Sequence, residues 1–361
     1  MDLFDQISDN SLPPLLIAEL SGNHGGDLSK AINLIEAAVE SGADAIKLQT
    51  YKPETITVRG TCDRFLLKDG LWAGQYLHDL YNDAMTPWDW HEPLSQKAQE
   101  LGVELFSSPF DETAVDFLES TIDPQIYKVA SFELNHFPLL QKIGACGKPV
   151  LASVGVSNFA EIKFSLDTLF SSGCPAVTLL HCVSEYPAKL EDFNLASMLS
   201  LKNEFGTEIG LSDHSLGHSV PIAATALGAR VIEKHFALDR EESSIDGGFS
   251  MLPEEFKEMT AEIVSIHSAL GNKRVYDRNT ESKGATFKRS ILVSSPVKSG
   301  DLLTRDNIRV ARPGDGLCPS LWFDVLGARA ITDMDIGHPL SKKDFNKNIY
   351  TIDIKLLFYK K

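Results

Sequence analysis

The feature that most constrains this chain is an alternation. Short β-branched or apolar runs recur from about residue 15 to about residue 270, with amphipathic helical patterns between them. The runs read LLIAEL (15–20), AIKLQT (45–50), VELFSS (103–108), IYKVAS (126–131), PVLASV (149–154), VTLLHC (177–182), EIGLSD (208–213) and RVIEKH (230–235). The segments between them, such as LSKAINLIEAAVESG and TAVDFLEST, place apolar residues at i, i+3 and i+4. Several close on glycine just before the next run, as in SGADAIKL, LGVELF, CGKPVL and LGARVI, the expected stop signal of a helix. Eight such units over roughly 255 residues match a (β/α)8 barrel in count and size. A doubly wound sheet competes, but no G-x-G-x-x-G opens a helix here.

Composition excludes other classes. Hydrophobic content of 43% and charged content of 23% are ordinary for a globular protein. A net charge of −16 argues against nucleic acid and anionic membranes as partners. No stretch approaches the roughly 20 apolar residues that span a bilayer, and the acidic start MDLFDQISDNSLPP is no secretion signal. The five cysteines, Cys62, Cys146, Cys174, Cys182 and Cys318, are scattered and never spaced as CxxC. Reduced thiols in a cytoplasmic protein, with no structural zinc cluster, are expected.

The domain plan is a barrel over 1–270, a polar linker over 271–288, a compact β-rich module over 289–346 and a tail over 347–361. The module carries an internal echo: VKSGDLLTRDNI (297–308) aligns with MDIGHPLSKKDF (334–345), Gly300 on Gly337 and Leu303 on Leu340. Between the second and third runs, residues 51–88 form a long insertion, and loops of that length are usually functional or ordered by a partner.

Catalytic groups of a barrel gather at the C-terminal ends of its strands, and here nearly every run ends in polar chemistry. The ends supply Glu19, Asn23 and His24; Lys47 and Gln49; Ser107 and Ser108; Lys128, Ser131 and Glu133; Ser153; His181, Ser184 and Tyr186; Ser212, Asp213 and His214; and Glu233, Lys234 and His235. The strand period of two puts Lys47 with Gln49, Ser212 with His214, and Glu233 with His235, and turns Lys234 the other way. A buried ammonium needs an anion. For Lys47 and Lys128 that is either a phosphate or carboxylate ligand flanked by serines, or an internal salt bridge to Glu19 or Glu133. His214 and His235 end adjacent strands on matching faces. With Glu19, Asp213 or Glu233 nearby they read either as ligands of a divalent metal with open positions or as a hydrogen-bonded pair. His24, His181 and His218 read as structural or positioning groups. A Schiff-base aldolase using Lys47 or Lys128 is a different reaction class open to the same residues.

These residues resemble the sialic acid synthase family over almost the whole chain. The motifs are IAELSGNHGGDLSKAINLIEAA, GADAIKLQTY, FSSPFDETAVDFLE, YKVASFE, LLHCVSEYP, GLSDHSLG and VIEKHFALDR, followed by FKRSILV and GDLLTRDNIRVARPGDGL, which look like an antifreeze-like SAF domain. AELSGNH, LYNDAMTPWDWHEPL and FSSPFD look most like the branch that makes pseudaminic acid. The resemblance implies condensation of phosphoenolpyruvate with the open-chain aldehyde of a 2,4-diacetamido-2,4,6-trideoxy hexose of altrose type, with release of phosphate. N-acetylneuraminate and legionaminate synthesis are same-chemistry alternatives. It implies a divalent metal at His214 and His235, manganese first, with magnesium or cobalt as substitutes. Lys47, Lys128, Ser131, Ser153 and Ser212 match phosphoenolpyruvate positions; Glu19, Gln49, Tyr186 and Asp246 match positions near the sugar and the reacting atoms. Ser108, Phe110, Glu133 and Ser184 complete the expected substrate contacts, and Glu19 or Glu233 is the expected proton acceptor. In the family an arginine of the SAF domain serves the partner's barrel in a swapped homodimer, and Arg312 occupies that position. Three motifs depart from the family: Gly25-Gly26 where GNHNG is usual, EESSID where GPD is usual, and ASVGV where STGM is usual.

Overall fold

A computed structural model describes residues 3–240, 245–271 and 284–346. The chain divides into two compact units, Met1–Asn272 and Lys273–Lys361. The middle of the expected linker and the tail over 347–361 lie outside the described residues.

The first unit is the expected barrel. Its strands are β1 (Leu15–Glu19), β2 (Ala45–Thr50), β3 (Glu104–Pro109), β4 (Tyr127–Val129), β5 (Val150–Ser153), β6 (Val177–Cys182), β7 (Glu208–Asp213) and β8 (Val231–His235). They pair in parallel in the order β3-β2-β1-β8-β7-β6-β5-β4, and β3 lies against β4 to close the ring. A helix follows each strand, from Leu28–Glu40 after β1 to Pro253–Leu270 after β8. Local chemistry starts several of them. Asp27 and Asp111 accept from backbone N–H groups of the first turn, and Asn158 and Glu161 form a reciprocal capping box. The insertion after β2 is built around the helices Pro53–Ile56 and Leu77–Ala84, and Trp88 ties it back by stacking on Phe117 at 4.5 Å.

Strand alternation sorts the side chains into two environments. Outward residues such as Leu16, Ile46, Leu105, Val150, Leu179 and Ile232 pack under the helices. Inward residues form a separate cluster low in the lumen: Leu15, Ile17, Ala45, Phe106, Ile126, Leu151, Leu180 and Val231. Leu3 and Ile7 of the short helix Leu3–Ser8 join that cluster and plug the base of the barrel. Arg230, at the entrance of β8, holds the plug by donating to the carbonyls of Gln6, Ile7, Asp9 and Leu12 at 2.7–2.9 Å. With the base closed by apolar packing, polar lumen groups collect at the opposite, C-terminal end. Among the described residues no helix is long and apolar enough to cross a membrane.

The second unit is small and β-rich. β9 (Ser290–Val293) pairs antiparallel with β10 (Ile308–Ala311), and β11 (Arg329–Ala330) with β12 (Phe345–Asn346). Ile291, Val297, Leu303, Val325, Met334 and Leu340 form its core. The internal echo has a physical basis. Gly300 and Gly337 both hold positive φ, at 93° and 88°, and Leu303 and Leu340 are both fully buried.

Candidate active site

The strand ends build one pocket lined by Lys47, Gln49, Lys128, Ser131, Ser153, Tyr186, Ser212, His214, Glu233 and His235, with Ala130, Phe132 and Cys182. The layer directly above the apolar cluster is a charge cluster. Lys47 Nζ lies 2.7 Å from Glu19 Oε2 and 3.3 Å from Glu233 Oε1, and donates to Ser108 Oγ at 3.4 Å. Lys128 Nζ lies 3.9 Å from the same Glu233 oxygen and donates to the Val129 carbonyl at 3.1 Å. Ser212 Oγ donates to Glu233 Oε1 at 2.9 Å. Gln49 Nε2 donates to Glu19 Oε1 at 3.0 Å and to Ser21 Oγ at 3.1 Å.

Electrostatics separates the two lysines. Burial works against the charge on Lys47, but Glu19 and Glu233 outweigh it and its pKa is raised. Burial dominates at Lys128, where Lys47 adds repulsion, and its pKa is lowered. Glu233 is also penalised by burial, yet Lys128 and Lys47 hold it ionised with a lowered pKa. Burial pushes the Glu133 carboxyl up to about 7 against the pull of Lys128. Of the alternatives open for the lysines, Lys47 takes the internal salt bridge with Glu19, so an external anion is not its first partner. Lys128 is the less neutralised cation.

Several buried atoms of the pocket have no hydrogen-bond partner: Ser153 Oγ, Glu233 Oε2 and His235 Nδ1. Orphaned polar atoms converging on one cleft are expected where a polar ligand completes the set. The serines on the fourth and sixth strand ends bind each other, Ser131 Oγ lying 2.7 Å from Ser184 Oγ. Gly155 permits that approach, because a Cβ there would meet Cys182 Sγ at 2.5 Å and Ser184 Oγ at 2.7 Å.

His214 and His235 come together with ring centroids 5.4 Å apart and an interplanar angle of 62°. His214 Nδ1 lies 2.8 Å from the Val183 carbonyl, which leaves the Nε2 lone pair free. Burial, with His235 beside it, brings its pKa down to about 3, so the ring is neutral. His235 Nδ1 faces Asp246 Oδ2 at 3.5 Å. A neutral imidazole locked through its far nitrogen, beside a second imidazole with an orphaned nitrogen, fits a divalent metal. Among the described residues no group of three or more His, Cys, Asp or Glu side chains converges as a metal cage, so substrate and water would complete the coordination.

One expected neighbour of this pair is corrected. Asp213 turns to the outer face of β7, where Oδ2 meets Lys234 Nζ at 2.5 Å and Oδ1 accepts from Ser215 N–H at 2.9 Å. The cause is strand alternation, since Asp213 and Lys234 are register partners just as Ser212 and Glu233 are. Three other histidines singled out in the sequence have partners of their own. His24 packs on Trp90, His181 lies 2.6 Å from the Phe193 carbonyl, and His218 lies 3.4 Å from Glu262. Asp246 is placed by Asn23, whose Oδ1 accepts from the Asp246 N–H at 3.0 Å while Nδ2 holds the Phe236 carbonyl and Ser250. Phe110 packs edge-on against Tyr51 at 5.1 Å and is not among the residues that line the pocket. Arg312 belongs to the second unit, on the residue after β10. Sequence reasoning missed Cys182, Phe249 and Trp72. Cys182 had a visible signal, as it shares the strand period with inward Leu180; Phe249 and Trp72 arrive from loops, where no period applies.

Residues 34–275 match the NeuB family, and residues 288–346 match the SAF domain. The chain is 40% identical over 330 residues to a pseudaminic acid synthase of Campylobacter jejuni, covering 91% of this chain and 96% of the relative. It is 40% identical over 339 residues to the pseudaminic acid synthase of Helicobacter pylori, covering 93% and 99%. Among solved structures, an N-acetylneuraminic acid synthetase of Leptospira borgpetersenii, in complex with citrate, superposes with a TM-score of 0.67 at 31% identity, covering 75% of this chain and 90% of that one.

Proposed function

The chain belongs to the NeuB family, and from that premise we propose that it condenses phosphoenolpyruvate with an open-chain 2,4-diacetamido-2,4,6-trideoxy hexose of altrose type, forming pseudaminic acid and releasing phosphate. The observation that carries the reading is the under-neutralised Lys128, buried beside orphaned Ser153 and Glu233 oxygens and under two imidazoles. An anionic three-carbon substrate supplies what that cleft lacks.

Lys47, Lys128, Ser131, Ser153 and Ser212 hold the phosphate and carboxylate and neutralise their charge. Gln49, Ser108, Phe110, Glu133, Ser184, Tyr186 and Asp246 line the acceptor. C3 of phosphoenolpyruvate attacks the aldehyde carbon, forming the C–C bond as the C2–C3 double bond opens, and the aldehyde oxygen becomes a hydroxyl by taking up, net, the proton that the water adding at C2 gives up. Water then adds at C2, with its proton passing to the Glu19–Glu233 carboxylates. Cleavage of the C2–O bond in that tetrahedral adduct expels phosphate and leaves the 2-keto acid. Fixing both reactants against one rigid set of strand ends makes the attack effectively intramolecular. His214 and His235 would hold the divalent metal, manganese in our reading, which supplies Lewis acidity toward the aldehyde oxygen. The same reading has the partner subunit's Arg312 offering its planar fork to an acetamido carbonyl in a swapped homodimer, within the cytoplasm.

Phosphate release tests the reading. Turnover is expected with the altrose-type acceptor, abolished by EDTA and restored by manganese, and His235→Ala is expected to be folded and inactive. A tenfold preference for N-acetylmannosamine would move the assignment to N-acetylneuraminate synthesis. Borohydride trapping of a lysine adduct, with turnover insensitive to EDTA, would replace the mechanism with a Schiff-base aldolase.

A further inference from the structure

The insertion after β2 sets Trp72 against Tyr186, a residue that lines the pocket. Residues 66–76 form a narrow loop closed by the Leu66–Tyr76 bridge, with Gly70 and Gly74 at positive φ. Trp72 stands near its tip, half-buried. The indole Nε1–H donates to the Ile245 carbonyl at 3.2 Å, and the ring lies 5.7 Å from Tyr186. Tyr186 in turn lies 4.5 Å from the ring of His214 and 5.2 Å from Phe249. A continuous aromatic wall therefore runs outward from the imidazole pair, and Trp72 is its outermost member.

We propose that Trp72 is a specificity-determining residue that selects acceptors lacking oxygen at C6. The inference rests on the reading of the site given above. The aldehyde carbon must lie at the inner end, beside the imidazoles and C3 of phosphoenolpyruvate. The far end of the open chain then runs outward along the wall. There the indole has spent its single donor on Ile245, so its face offers nothing to a hydroxyl. A methyl packs against such a face without loss, whereas a hydroxyl gives up water and gains no partner. An apolar wall discriminates against an added hydroxyl by about 10- to 100-fold, because it rejects by lost solvation and not by a clash.

The test compares kcat/KM for two altrose-type 2,4-diacetamido acceptors that differ only in carrying hydrogen or hydroxyl at C6. The full-length enzyme is expected to prefer the 6-deoxy acceptor by about 10- to 100-fold. Trp72→Ala is expected to lose most of that ratio through a higher KM for the 6-deoxy acceptor. Trp72→Phe, which keeps an apolar ring, is expected to retain most of it. Thermal melts of both variants confirm the fold. If the wild-type enzyme prefers the 6-deoxy acceptor and Trp72→Ala keeps the same ratio, the role of Trp72 is overturned while the reaction stands. If the wild-type enzyme prefers the 6-hydroxy acceptor, both the assigned acceptor and the selective wall fall.

Discussion

Lys128 and Lys234 are the same chemical group, buried to the same degree at the ends of two strands of one barrel, and they are treated in opposite ways. Lys234 points outward from β8, where Asp213 Oδ2 and the carbonyls of Ser215 and Gly217 receive its three donors. Lys128 points into the lumen with one backbone carbonyl and a share of one Glu233 oxygen. A buried ammonium whose three hydrogens all have acceptors is part of the architecture, here bracing β7 against β8 and the turn that follows His214. A buried ammonium left short of acceptors is a place for an anion to bind. Glu233 and Asp213 repeat the contrast. The first is shared by two lysines and keeps an unpaired oxygen, while the second has both oxygens engaged.

The largest effect expected of this contrast is on stability. Lys234→Met leaves the Asp213 carboxylate buried and unpaired, at a cost of about 3–5 kcal/mol in urea unfolding. Adding Asp213→Leu is expected to recover part of that loss, because both charges then leave together. A Lys234→Met enzyme as stable as its parent would break the comparison at its structural side.

The next effect is on turnover. Lys128→Met is expected to lower kcat/KM for phosphoenolpyruvate by about 100- to 1000-fold, with unfolding free energy within about 1 kcal/mol of the parent. That margin is small because burial already opposes the Lys128 charge. A stability loss matching that of Lys234→Met would erase the distinction between the two faces.

The smallest effect sharpens the electrostatics of the lumen. Glu133, with its pKa near 7, is neutral below that pH and anionic above it. Its ionisation places a negative charge close to Lys128, in competition with the substrate's own charge. The KM for phosphoenolpyruvate is therefore expected to rise by roughly threefold to tenfold as pH increases through 7. In Glu133→Gln that rise is expected to disappear, because the remaining ionisation, that of the substrate's phosphate, strengthens binding to the lysines. A rise of unchanged size in the variant would remove Glu133 from the account.

The barrel was legible because its signal is periodic. Apolar runs of fixed length, glycine stops and polar strand ends recur eight times, and each repetition constrains the others. Period two also sorted VIEKH correctly, with Glu233 and His235 inward and Lys234 outward. The same rule, carried one strand over, would have moved Asp213 away from His214; reading it as a possible ligand ignored its own alternation. The base plug was not legible, because Leu3 and Ile7 gain their role only by lying under a closed lumen. The Lys47–Glu19 ion pair was legible only as an alternative to a bound anion, because it joins neighbouring strands whose register no local pattern specifies.

By itself the sequence determined which residues could face one another's environment: strand or helix, inward or outward, charged or apolar at each end. These follow from the 3.6 and 2.0 periods and from the cost of burying polar groups, both local properties of a chain. Only the tertiary structure decided the pairings. It gave Lys47 to Glu19 and Lys234 to Asp213, left Lys128 short of acceptors, and brought Trp72 to Tyr186 across more than a hundred residues of chain. Charge neutralisation and ring contact act over a few ångströms in space, and distance along the sequence does not encode them.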